Sequence, residues 1–134
     1  MMYVLDACAM IAFLRGEDGA DVVEQALLET DSRCIAHSIN LCEIFYVIWR
    51  DGGEVAATEA LDDLAAVGVV ERNDSDQEFW REVGKLKAVQ KKVSLADCCA
   101  IALTNRVGGT LLTSDHHELD SVAAAGLCNI TFIR

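Results

Sequence analysis

The sequence contains no proline, few basic residues and no long apolar segment. Without proline, the ends of helices and strands must be inferred from glycines and capping residues. No apolar run approaches the roughly 20 residues that span a bilayer, and the first residues lack the basic segment of a secretory signal. We therefore expect a cytoplasmic protein that does not contact a membrane.

Basic residues are outnumbered two to one: 11 Lys and Arg stand against 22 Asp and Glu, a formal net charge of −11. Affinity for phosphate backbones depends largely on Lys and Arg. This balance argues against a generic nucleic-acid coat protein. It remains compatible with an enzyme whose acids hold metal ions.

Disulfide and zinc signatures are also lacking. The six cysteines show no C-x-x-C spacing and mostly have apolar neighbours, so we expect reduced thiols that pack as small apolar side chains. No Ser/His/Asp or Cys/His arrangement suggests nucleophilic catalysis. The chemistry must come from other residues.

Apolar runs alternate with helical patterns along the whole chain, which predicts a single α/β domain, residues 1–134, with a mainly parallel sheet. The predicted strands cover about 3–5, 33–36, 67–70, 110–113 and 130–133. The predicted helices cover about 7–15, 19–30, 38–49, 55–66, 75–89, 94–104 and 114–124.

The first strand organises this prediction. Tyr3, Val4 and Leu5 are apolar without alternation and run directly into Asp6. Such a run indicates a strand buried on both faces, near the middle of a parallel sheet. Its carboxyl end would deliver Asp6 to the edge where α/β sheets bind ligands.

Three further acids fall at comparable junctions: Glu43, Asp97 and Asp115 each lie at or near a predicted helix start that follows a predicted strand or loop. In a parallel sheet these helix starts share one edge, so the four carboxylates should converge. Packed carboxylates repel one another by several kcal/mol at an effective dielectric of about 20. A cluster of this kind requires a cation, and oxygen ligands select Mg²⁺ or Mn²⁺.

Helix capping is the competing interpretation. Asp6 alone fits an N-cap, and three pairs match the capping-box spacing: Asn40 with Glu43, Ser94 with Asp97, and Asp115 with Glu118. For any one acid, the cap and the metal ligand explain the position equally well. Four acids at one type of junction favour the metal site.

These motifs resemble those of PIN-domain ribonucleases, and the chain length resembles the small VapC-type toxins of toxin–antitoxin pairs. The resemblance rests on Val4-Leu5-Asp6, on Glu43, on Ser94-Leu95-Ala96-Asp97 with Ile101-Ala102, and on Leu112-Thr113-Ser114-Asp115. It implies a three-layer α/β/α sandwich and a metal-dependent endoribonuclease. It also implies a homodimer and an antitoxin that blocks the acidic site.

Carried over residue by residue, the resemblance makes Asp6, Glu43, Asp97 and Asp115 the catalytic and metal-binding acids. Thr113 matches the hydroxyl beside the last acid, and Glu118 matches an additional acid of some members. Cys8 departs from the family pattern, because many relatives place Ser or Thr two residues after the first acid.

RNA contact needs cations, and five of them precede Asp97 within twelve positions. This basic strip consists of Arg81, Lys85, Lys87, Lys91 and Lys92. It is either a phosphate-contacting surface or a solvated helix face. The two tryptophans, Trp49 and Trp80, fit core or interface positions better than base-stacking platforms.

Two other functions compete with RNA cleavage. A phosphatase of the haloacid-dehalogenase kind also begins with an acid after its first strand, but it requires a second Asp where Cys8 stands. A catalytically silent binding module on the PIN fold is the other alternative, and the retention of all four acids argues against it.

Overall fold

The computed structural model describes residues 1–134 and contains one parallel sheet of five strands. The strands are β1 (Met2–Leu5), β2 (Arg33–His37), β3 (Val69–Arg72), β4 (Thr110–Thr113) and β5 (Ile130–Phe132), in the order β3-β2-β1-β4-β5. Every neighbouring pair is parallel. The prediction of a parallel sheet with the first strand at its centre is confirmed.

Seven helices connect and cover the strands. They are α1 (Ala7–Arg15), α2 (Ala20–Leu28), α3 (Ser38–Gly52), α4 (Glu54–Ala66), α5 (Gln77–Val89), α6 (Leu95–Val107) and α7 (His116–Ala124). Apolar residues of α1 to α4 pack on one face of the sheet, and those of α5 to α7 pack on the other. The three-layer α/β/α architecture is confirmed.

Strand β1 is buried on both faces, as the unalternating apolar run predicts. Val4 joins the core beneath α5 to α7, whereas Leu5 joins the core beneath α1 to α4, and both are fully buried. The strand ends where the Asp6 backbone N–H donates to the Leu112 carbonyl at 3.3 Å. Both layers therefore fix the position of Asp6 relative to β4.

Some element boundaries differ from the sequence prediction. Strand β3 begins at Val69, two residues late, because Gly68 makes the preceding turn at a φ of +106°, which glycine adopts readily. Helix α5 begins at Gln77 because the Asp76 side chain accepts a hydrogen bond from the Phe79 N–H and caps it. Neither shift moves the edge where the acids lie.

Several surface features complete the fold. No helix is both long and apolar enough to cross a membrane. All six cysteines carry free thiols, and four of them are buried. Trp49 and Trp80 are 44% and 55% exposed, so the core alternative for the tryptophans is wrong. Their exposed rings are compatible with both an interface and a base-stacking platform.

Candidate active site

Asp6 directly follows β1, the central strand, and only one of its two carboxylate oxygens has a hydrogen-bond partner. It is 1% exposed, and its Oδ1 caps α1 by accepting from the Ala9 N–H at 2.9 Å. No protein atom donates a hydrogen bond to Oδ2. Burial raises the pKa of Asp6 to about 7, against the opposing effects of the Thr113 hydroxyl and the Ala9 N–H. The cap interpretation accounts for one oxygen and leaves the other without a partner.

Asp97 lies in the first turn of α6, but its carboxylate does not complete a capping box. Ser94 caps the helix through its Oγ, which accepts from the Asp97 N–H at 3.1 Å. The reciprocal bond is made by another residue, because the Ser94 N–H donates to Oε1 of Glu118 at 2.6 Å. The capping-box interpretation of Asp97 is therefore wrong: the residue is buried, 8% exposed, and its carboxylate faces Glu118.

Asp115 and Glu118 lie at the start of α7, close to Asp97. Asp115 caps α7 by accepting from the Glu118 N–H at 3.0 Å, and its own N–H donates to the Thr113 Oγ1 at 3.0 Å. Carboxylate oxygens of Asp97, Asp115 and Glu118 lie within 4.8 Å of one another. Three oxygens at this spacing can surround a single cation.

Glu43 approaches this group from α3. The helix begins at Ser38 and is capped by the His37 Nδ1, which accepts from the Ile39 N–H at 3.1 Å. Asn40 therefore caps nothing, and the capping-box interpretation of Glu43 is wrong because Glu43 lies beyond the first turn. Burial raises the pKa of Glu43, and the charges of Glu118 and Asp115 raise it further.

The electrostatics of the group disfavour several negative charges at once, so its acids must bind protons or a cation. Burial raises the pKa of Asp97, and the charges of Asp6, Glu118 and Asp115 add to the rise. None of the ion pairs of the protein involves these acids. An all-oxygen donor set without a basic partner, such as that of Asp97, Asp115 and Glu118, fits a hard divalent ion such as Mg²⁺ or Mn²⁺. Asp6 is not one of these three, but its Oδ2 is a further buried oxygen without a hydrogen-bond partner.

The model of the PIN domain family matches residues 3–125. The chain belongs to the PIN domain family. No curated protein matches its sequence, so this assignment comes from the family model, and the solved structures add the fold. Membership argues against the haloacid-dehalogenase alternative.

Solved structures with the same fold include chains from VapBC toxin–antitoxin systems. VapBC2 from Rickettsia felis, bound to a DNA fragment from its promoter, gives a TM-score of 0.76 at 14% identity over 98% of both chains. VapBC-1 from nontypeable Haemophilus influenzae gives 0.75 at 16% identity, over 99% of this chain and 98% of that one. VapC20 from Mycobacterium tuberculosis, described as a toxin that cleaves the sarcin–ricin loop, gives 0.70 at 16% identity, over 92% and 95%.

The basic strip of this PIN domain does not form one continuous face. Arg81 and Lys85 share a shallow hydrophilic depression with Glu78 and Glu82 on α5. Lys87 donates from Nζ to the backbone carbonyls of Lys91 and Val93, at 3.1 and 2.8 Å, and so orders the turn between α5 and α6. Lys91 and Lys92 lie exposed in that turn, shortly before Ser94. Of the five basic residues, Lys91 and Lys92 are the closest in sequence to Asp97.

Two of the three histidines, His37 and His116, have structural partners. His116 is exposed; it pairs with Asp120 at 2.7 Å, bonds the Arg134 carbonyl and stacks on Phe132. His37 caps α3 and bonds the Asp74 carbonyl through Nε2 at 2.9 Å. Neither His37 nor His116 bonds Asp6, Glu43, Asp97 or Asp115.

Two contacts at the site were not predictable from the sequence pattern. The bond between Glu118 and Ser94 joins residues 24 positions apart, and Asn40 reaches across 56 positions to the Ala96 carbonyl. The only sequence signal at Asn40 is an amide beside an apolar helix face, which the capping-box spacing led us to interpret as a cap.

Proposed function

We propose that this PIN domain is an endoribonuclease that uses Mg²⁺ or Mn²⁺ to hydrolyse RNA phosphodiester bonds. Asp6, Glu43, Asp97 and Asp115 are the catalytic and metal-binding acids, and Thr113 and Glu118 support them. The observation that carries the proposal is the group of Asp97, Asp115 and Glu118 oxygens within 4.8 Å, with no basic partner. The unpaired Oδ2 of Asp6 supports it.

The acids divide the work by position. Asp97, Asp115 and Glu118 offer oxygens close enough to hold one ion, and Asp6 offers its free Oδ2 from the centre of the sheet. When bound, the ion activates a water and neutralises charge that develops on the scissile phosphate. Thr113 holds the Asp115 backbone through its hydroxyl. Glu43, half-buried and with a raised pKa, is suited to accept a proton from the attacking water at its carboxylate.

RNA as the substrate class draws support from VapC20, the structural neighbour described as cleaving the sarcin–ricin loop. On a chain of net charge −11, phosphate contact depends on the few free cations. We assign this role to the basic strip, in which Lys91 and Lys92 contact the RNA directly and Lys87 orders their turn. Arg81 and Lys85 contact RNA farther along α5.

Two protein partners belong to the same proposal. Structural neighbours from Rickettsia felis and Haemophilus influenzae come from VapBC systems, which supports a cognate antitoxin for this chain. The net charge of −11 would attract a cationic partner segment to the acidic site. Exposed Ile39, Trp80 and Leu95, beside a groove of about 520 Å³ that runs from α3 to α5, support a homodimer.

Cleavage of a panel of labelled RNAs tests the function directly. With Mn²⁺ or Mg²⁺ the protein should cut at least one RNA, and chelator should abolish the cutting. Asp97→Asn should be inactive, whereas Asp62→Asn, which removes the same charge from an exposed position of α4, should cut normally. Cleavage that persists in chelator, or in Asp97→Asn, would contradict the proposal. A purified dimer without metal-dependent cleavage would favour the silent binding module.

A further inference from the structure

Asn40 joins the two helices that carry Glu43 and Asp97. It lies one turn before Glu43 on α3 and is fully buried. Its Nδ2 donates to the carbonyl of Ala96, the residue that precedes Asp97 on α6, at 3.1 Å. The Asn40 amide thus connects α3, which carries Glu43, to α6, which carries Asp97.

The other end of this amide lacks a partner. The Oδ1 of Asn40 and the Oδ2 of Asp6 are the two buried side-chain polar atoms of the protein that no protein group bonds. Buried amide oxygens in folded proteins are nearly always hydrogen-bonded, to the protein or to an ordered water. One of these oxygens belongs to an acid of the proposed site, and the other belongs to a residue one turn from Glu43, so a partner that does not belong to the chain is expected there.

Residues three apart on a helix lie on the same side of it. The side chains of Asn40 and Glu43 therefore lie on the same side of α3, the side that faces the other acids. The Nδ2 of Asn40 is already bonded to the Ala96 carbonyl of α6. Oδ1 is an acceptor only, so its partner is either a group that carries a hydrogen atom or a cation. A water molecule bound at the carboxylates supplies the first without adding a fourth element to the ion's protein ligands.

We propose that Asn40 is a positioning residue of the metal site: Nδ2 fixes α3 against α6, and Oδ1 accepts a hydrogen bond from a water molecule held at the carboxylates. This inference rests on the proposed metal-dependent function. It adds a neutral residue to the four acids and explains why a buried amide stands here rather than an apolar side chain. Loss of such an outer partner typically weakens metal binding about 10- to 100-fold.

Mn²⁺ titration calorimetry on Asn40→Leu tests the role, since Leu has the same four side-chain heavy atoms branched at Cγ, although its methyl groups are larger, and it neither donates nor accepts. Asn40→Ala serves as the second variant if Leu prevents folding. The matched control is Asn105→Ala, because Asn105 also donates from Nδ2 to a backbone carbonyl, that of Leu127 at 3.0 Å, but lies at the far end of α6. RNA cleavage is measured in parallel at saturating Mn²⁺.

We expect the Mn²⁺ dissociation constant to rise about 10- to 100-fold in the Asn40 variants and to stay unchanged in Asn105→Ala. At saturating Mn²⁺, kcat should remain reduced while KM for the RNA stays near the parent value. A folded Asn40 variant with parental Mn²⁺ affinity and kcat would overturn the inference and leave the nuclease intact. A parent that neither binds Mn²⁺ nor cuts RNA would overturn the proposed function, and this inference with it.

Discussion

The Oε1 of Glu118 lies 2.6 Å from the backbone nitrogen of Ser94. This bond satisfies the N–H that the Asp97 carboxylate would take in a capping box, and it anchors α7 to the start of α6. Because Glu118 of α7 accepts the hydrogen bond at the start of α6, the Asp97 carboxylate does not make it and lies among the other acids instead. Glu118 thus joins two helices through this bond and also belongs to the group of acids with Asp97 and Asp115.

The first prediction compares Glu118→Gln with Glu118→Ala. Gln still accepts from the Ser94 N–H but removes one of the repelling charges, so in chelator it should be at least as stable as the parent. Ala also loses the hydrogen bond and should cost about 1 kcal/mol. Both should weaken Mn²⁺ binding, which thermal melts with and without Mn²⁺ would measure. If Glu118→Gln and Glu118→Ala destabilised the protein equally, the Glu118 carboxylate would not be repelled by the neighbouring acids.

The second prediction concerns pH. The pKa of Asp6 is raised from 3.8 to about 7, so between these values the folded metal-free protein binds more protons than the unfolded chain. The stabilisation that comes from the protonation of Asp6 should therefore be complete below about pH 4. The free energy of unfolding should fall as the pH rises from about 4 towards 7. Asp6 contributes at most about 4 kcal/mol to this decline, and Asp97, whose pKa is also raised, adds to it.

Urea unfolding in chelator at pH 5 and pH 8 measures that slope. The parent should be more stable at pH 5, and Asp6→Asn should show a weaker dependence on pH. The exposed Asp62→Asn should leave the slope unchanged. Higher stability at pH 8 than at pH 5 for the metal-free parent would show that the buried acids are not the dominant titrating groups.

The third prediction separates RNA contact from solubility in the basic strip. Charge reversal of Lys85, Lys91 and Lys92 should weaken RNA binding and flatten its dependence on salt, because fewer counterions are released. Reversal of Lys87 should also lower stability, since its Nζ holds two backbone carbonyls. Arg33→Glu, exposed at the opposite end of the sheet, is the control. Filter binding at several salt concentrations would give the slopes, and an unchanged slope would leave these lysines as solubilising charges.

The fourth prediction concerns partnership in the cell. Induction of this chain alone should arrest growth, and induction of Asp97→Asn should not, because the arrest depends on cleavage. The product of a neighbouring gene should co-purify with the chain and relieve the arrest. Normal growth with abundant folded protein would count against a toxin role.

The sequence predicted features that follow from local pattern. The run Tyr3 to Leu5 predicted a central strand because a buried parallel strand cannot alternate, and the acids Asp6 and Asp97 stood out as charges among apolar neighbours. Contacts between distant residues were not predictable in this way. Capping-box spacing gave the wrong partner for Asp97 and a cap at Asn40, because the side chains that meet there come from three helices. Trp49 and Trp80 show the same limit, since helical spacing does not say whether a stripe faces core or solvent.

Thermal melts of the parent and Asp97→Asn, each in chelator and in Mn²⁺, test the metal site most directly. Asn is nearly isosteric with Asp and relieves repulsion, so the variant should be equally or more stable in chelator. Mn²⁺ should stabilise the parent by RT ln(1 + [L]/Kd), about 2.7 kcal/mol at a hundred times Kd, and the variant should lose most of that gain. A parent that ignores Mn²⁺, together with a destabilised Asp97→Asn, would mean that these acids are structural and that the account of a metal-dependent ribonuclease is wrong.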